Sequence, residues 1–124
     1  MAVHVTVADD AVDIRLSGAD AVLSLSNGLR LPLEEVERAW LGSRTDLLAE
    51  AGWRVGGGYW PGVLATGWFT WKERKGYRQL WCTYRDDEVL VIDTTRTSPA
   101  RIVLQLPDRA EQAWYLNERL SRRG

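Results

Sequence analysis

Histidine and cysteine occur only once each in these 124 residues, at His4 and Cys82. One cysteine forms no internal disulfide. One His with one Cys cannot supply the four ligands of a structural zinc site, so no metal is expected. The same scarcity leaves no Ser-His-Asp or Cys-His arrangement. No catalytic residue and no cofactor are assigned, and the chain reads as a non-enzyme, a small enzyme of unknown class that uses His4 and a carboxylate being the remote alternative. Cys82 stands between Trp81 and Thr83 in an apolar strand pattern, the setting of a small buried apolar residue. No stretch approaches the ~20 apolar residues of a membrane span. The beginning, "MAVHVTVADD", lacks the basic and apolar regions of a signal peptide. A net charge of −1 gives no general attraction to nucleic acid. The expectation is a cytoplasmic protein without an integral membrane segment, or one held peripherally at the inner membrane face. Lysine is nearly missing as well. Only Lys72 and Lys75 stand among the 16 basic residues, a bias that fits a GC-rich bacterial coding sequence.

What is present is an ordinary globular balance, 45% hydrophobic and 27% charged, with seven tryptophans. Residues 1–124 read as a single domain, since no linker composition interrupts them. Alternation dominates the first third. Val3, Val5 and Val7, then Val12, Ile14 and Leu16, share strand faces around the Asp9-Asp10 turn, which predicts a hairpin. Residues 19–25 fit either a helical turn or a short strand. Leu29, Leu31 and Leu33 restart the alternation, with Pro32 marking an edge or strand end. A strand follows over 36–41, then a helical turn around "TDLLAEAG" with Gly52 as its stop signal. "VLATGWFTW", "YRQLWCTY" and "EVLVIDT" predict a three-stranded meander, and "ARIVLQL" a fourth strand. After Pro107-Asp108 the period changes. Ala110, Ala113, Trp114, Asn117 and Leu120 follow helical spacing, with Arg119, Arg122 and Arg123 near the end, where the helix dipole favours positive charge.

The expected fold is therefore mainly β (α+β), with seven to eight antiparallel strands in two sheets and one C-terminal α-helix. The phrases "LRLPLEEVERAW", "VGGGYWPGVLATGWFTW", "LWCTYRDDEVLVIDT" and "RIVLQLPD", with the terminal helix, resemble the small bacterial pleckstrin-homology (PH)-like domains over nearly the whole chain. That resemblance implies a partly open barrel capped by the helix, with Trp114 packed into the core across the barrel's open end. It also implies a binding or assembly module. Lipid-binding members carry basic residues around the first hairpin. Here that turn is "ADDAVD", which repels phosphate, so phosphoinositide is not expected at the usual site.

"RVGGGYWPG" at 54–62 invites a phosphate-cradle reading. That chemistry needs backbone N–H groups feeding a helix N-terminus, and here an apolar β pattern follows instead. The glycines read as a tight connector between sheets. The functional reading of this stretch is an aromatic partner surface of Trp53, Tyr59 and Trp60, extended by Trp71 and Tyr77 beside the next hairpin. Its partner is an unidentified protein or a second copy. The alternative contact is the one basic cluster, Lys72, Arg74, Lys75 and Arg78 in "WKERKGYR", facing a membrane surface or an anionic ligand. Large aromatics on both faces of the 63–84 strands leave two options: a core with cross-strand ladders, or an exposed aromatic patch.

Overall fold

The computed structural model describes residues 3–16, 28–56, 59–60 and 64–122, with the side chains of 53–56, 59–60 and 64 left outside that description. Residues 19–25, for which helix and strand were both open, lie outside it, as do 57–58 and 61–63 of the glycine connector.

Strands β1 (Val3–Val7), β2 (Ala11–Leu16) and β3 (Gly28–Pro32) form an antiparallel three-stranded sheet in that order. Its alternation is the one read from sequence. Val5 pairs with Ile14, and Val3 with Leu16, while His4 and Arg15 between them face solvent. Pro32 ends β3, an edge strand, where its missing N–H costs no ladder bond. A 3₁₀ turn at Leu33–Glu35 leads into β4 (Val36–Ser43). Arg96 grips the Glu35 carboxylate with two bonds of 3.0 and 3.1 Å, and this holds Glu35 below the usual carboxylate range.

The second sheet contains β4, β5 (Ala51–Gly56), β6 (Tyr59–Trp60), β7 (Leu64–Trp71), β8 (Arg78–Thr83), β9 (Glu88–Thr94) and β10 (Arg101–Leu104). Its order is β4-β9-β10-β8-β7-β5, with β6 also on β7. The meander expected from sequence is corrected here. β9 does not pair with β8, because β10 lies between them, antiparallel to β9 and parallel to β8. Thus ten strands are described rather than seven or eight, and one pairing is parallel. Continuous apolar runs suit the central strands because both their faces are covered. Leu80, Cys82, Leu90, Ile92, Ile102 and Leu104 pack against the three-stranded sheet and the C-terminal helix. Trp81, Val89, Val91 and Val103 form a second cluster on the opposite face with Leu47, Ala51, Ala65 and Phe69. The two-sided apolarity of these strands is therefore two cores, with Trp81 fully buried in the second.

Helix α1 (Arg44–Glu50) joins β4 to β5, the two edges of this sheet, and sets Leu47 into the second core. Seven helical residues span about 10 Å. Six flat strands spaced ~4.8 Å apart would separate their edges by about 24 Å. The sheet must therefore curl around α1, and it does so without closing into a barrel. The helix runs Arg44–Glu50, so it stops before Gly52, which belongs to β5. Asp87 secures its start, accepting from Ser43 Oγ (2.7 Å), Thr45 N (2.9 Å) and Thr45 Oγ1 (2.7 Å).

Helix α2 (Arg109–Arg122) buries Ala113 and Leu116 against the first core, and Arg119 pairs with Asp9 at 3.2 Å. Trp114 is not core. It is 61% exposed, because the buried stripe runs through 113, 116 and 120, and position 114 is turned about 100° away from 113. The helix mates instead through small and aliphatic side chains.

Two outcomes follow. Trp81→Ala empties a fully buried site and should cost about 3–5 kcal/mol, whereas Trp114→Ala should leave the melting temperature near wild type; paired thermal melts check both. Hydrogen bonds from Ser43 and then Thr45 hold the Asp87 carboxyl down to about 2. A folded pKa below the unfolded value, ~3.9, means that its contribution is complete above about pH 4 and disappears as pH falls through about 2. Asp87→Asn should lower stability at neutral pH and flatten the acid limb over that window, as read by melts across pH.

Candidate functional site

Charged residues inside apolar strands mark a buried polar centre. Asp93 in "LVIDT" and Arg101 in "RIVLQL" are opposite one another in the β9–β10 register, on the face of the second core. Both are buried. Arg101 Nε donates to Asp93 Oδ1 at 2.7 Å, and its Nη1 to Glu50 Oε2 of α1 at 2.7 Å. Asp93 Oδ2 also accepts from Arg38 Nε (2.8 Å) and Trp40 Nε1 (3.0 Å) on β4. Burial pushes the Asp93 carboxyl upward. The bonds from Arg101, Arg38 and Trp40, with the Arg101 charge, outweigh that and leave it below the ordinary range.

From this pair a column of alternating rings and guanidiniums runs to the β7–β8 hairpin. Arg38 lies 4.8 Å from the centroid of Trp40, and Arg101 lies 5.6 Å from Trp40 and 4.5 Å from Trp71. Arg74 lies 4.6 Å from Trp71 and 4.1 Å from Tyr77. Each such contact stabilises by roughly 0.5–2 kcal/mol according to its desolvation. Trp71 and Tyr77, expected as partner contacts, are half-buried and hold Arg74 in place. Trp53, Tyr59 and Trp60 are not placed: their side chains lie outside the described residues. The backbone of 59–60 pairs with Leu64 and Ala65 at the far end of β7 from Trp71.

The hairpin itself is cationic. Lys72, Arg74, Lys75 and Arg78 are exposed, and among the described residues none forms an ion pair with a carboxylate. Bonds from Arg74 N to Trp71 O (3.2 Å) and from Tyr77 N to Arg74 O (3.0 Å) shape the turn. Gly76 takes a φ of +87°, a conformation side chains disfavour. Beside the turn lies a hollow of about 590 Å³, lined by Gly52, Thr70, Trp71, Lys72, Lys75 and Gly76.

No family model, curated protein or solved structure matches this chain. Function must therefore come from the site itself. Two features of it were not read from sequence. The Asp93–Arg101 centre was signalled by charges at inward positions of otherwise apolar strands. The pair Trp114 and Tyr115, packed edge-on at 5.3 Å and 61% and 49% exposed, was concealed by helical spacing that counted Trp114 as apolar face. His4 is exposed on β1 and Cys82 is buried in the first core, so these two are not neighbours in a reactive pair. Among the described residues no group of three or more His, Cys, Asp or Glu could hold a metal ion, and no helix is long and apolar enough to cross a membrane.

The Asp93–Arg101 pair generates a prediction. Asp93→Ala leaves the Arg101 charge buried with only Glu50 to answer it, and should cost about 3–5 kcal/mol. Asp13, half-buried and paired at 3.5 Å with the exposed Arg30, serves as the comparison: Asp13→Ala should cost less than about 1 kcal/mol. Urea unfolding of both variants checks the contrast.

Proposed function

We propose that this protein is a non-catalytic binding module whose β7–β8 hairpin receives an anionic partner. The observation that carries the reading is the set of exposed cations Lys72, Arg74, Lys75 and Arg78, left without carboxylate partners among the described residues beside an open hollow. Unpaired surface charge is common. Here, however, the backbone presenting it is fixed: Arg74 is stacked on two rings, and Arg101 anchors one of those rings to the core. A pre-shaped cationic turn loses little freedom when an anion docks.

Kinship with PH-like domains belongs to the same proposal. Two sheets with a C-terminal helix support it, while the parallel β8–β10 pair and α1, which joins the two sheet edges, depart from a simple antiparallel barrel. The acidic first turn argues against anion binding there, since Asp9 and Asp10 are answered by Arg119 and Arg30 of the same chain. A second reading, contact with a protein or a second copy, is favoured by the exposed Trp114–Tyr115 pair and the hollow of about 360 Å³ that they line with Ala110 and Glu111.

Titration with inorganic phosphate, followed by amide NMR, tests the hairpin reading. Shifts should concentrate at residues 71–78, weaken as salt is raised, and vanish when Lys72, Lys75 and Arg78 are replaced by Ala. Shifts absent from the hairpin, or insensitive to those replacements, would remove it.

A further inference from the structure

The hollow beside the hairpin is much larger than a bare oxyanion requires, and its walls are of two kinds. Trp71, Thr70, Gly52 and Gly76 line it, and the aliphatic stems of Lys72 and Lys75 add to a mainly apolar surface. Their ammonium groups are the only charges among the described lining residues, and both are positive. Gly52 makes room for the Thr70 side chain, whose Oγ1 a Cβ there would strike. The volume, about 590 Å³, lies within the range of small-molecule sites.

We propose that this hollow takes a small amphipathic anion, a phosphate monoester or comparable organic acid whose compact apolar body enters beside Trp71 while its charge is met by Lys72 and Lys75. This deepens the hairpin reading and rests on it. The Trp71 ring already carries two guanidiniums, Arg74 at 4.6 Å and Arg101 at 4.5 Å. The ligand's body therefore lies beside Trp71, against Gly52 and Gly76, rather than displacing a guanidinium from the ring. A free molecule is favoured over a bilayer. The turn Lys72-Glu73-Arg74-Lys75-Gly76 has no apolar side chain to insert among acyl chains, and its flanking rings are engaged with Arg74.

The test compares 1-naphthyl phosphate with inorganic phosphate by NMR titration of the full chain. Adding the apolar body should tighten binding by roughly tenfold or more. The indole N–H signal of Trp71, assigned with Trp71→Phe, should shift with the naphthyl compound. Lys72→Ala/Lys75→Ala should weaken it by about tenfold with an unchanged melting temperature, and Lys72→Arg/Lys75→Arg should retain it. Equal affinity for the two probes would overturn the amphipathic site and leave an anion-binding hairpin standing. Failure of both probes to bind would overturn the hairpin reading as well. Tight naphthyl phosphate binding that survives the double Ala variant would place the compound elsewhere and overturn the assignment. Sedimentation with phosphatidylglycerol vesicles that depends on both lysines would overturn the choice of a free ligand.

Discussion

A guanidinium leaves water only where its charge and its donors are answered, and Arg101 is answered from three directions. Asp93 lies beside it on β9, Glu50 reaches it from the end of α1, and the rings of Trp40 and Trp71 flank it from β4 and β7. One side chain thus ties together four strands and the helix that bridges the sheet's edges. Such a centre adds little net stability over an apolar replacement, because desolvating both charges is costly. What it does supply is geometry. Its bonds are directional, so α1 cannot slide along the sheet without breaking the bond between Glu50 and Arg101.

The curl and the cationic turn are connected through that centre. α1 draws the sheet edges together at one end, where Ser43 and Thr45 meet Asp87, and Glu50 meets Arg101 at the other. Trp71, at the end of β7, is packed against Arg101 on the inside and carries Arg74 on the hairpin. The interior of the molecule therefore determines where the surface cations stand. A buried ion pair and an exposed binding turn are parts of one stack, so damage to the first should blur the second.

Strand positions were legible wherever one face meets solvent. β1 and β2 alternate, and the register Val5–Ile14 follows from it. The terminal helix was legible from its change of period. Three features were not. The order β9-β10-β8 depends on which strand fills a gap, and apolar runs such as "VLVI" and "IVL" carry no record of their neighbours. Trp114 fell one position beside the buried stripe, and a count of apolar residues does not distinguish the two. The hairpin cations were visible as a cluster, yet their fixation by Trp71 and Tyr77 arises only when the turn folds. Asp93 and Arg101 could have been paired on the ground that two opposite charges at inward positions need each other.

The insertion of β10 between β8 and β9 has a consequence for how the chain is made. During synthesis β8 and β9 emerge before β10, and until residues 101–104 arrive each lacks the neighbour on one side, β8 having only β7 and β9 only β4. Each then presents an open hydrogen-bonding edge flanked by some of the most apolar side chains in the molecule. Any pairing of β8 with β7 and of β9 with β4 that precedes β10 leaves the centre of the sheet as a slot for the last strand to fill. Until that step Asp93 has no Arg101, and the stack that leads to the hairpin has no inner end.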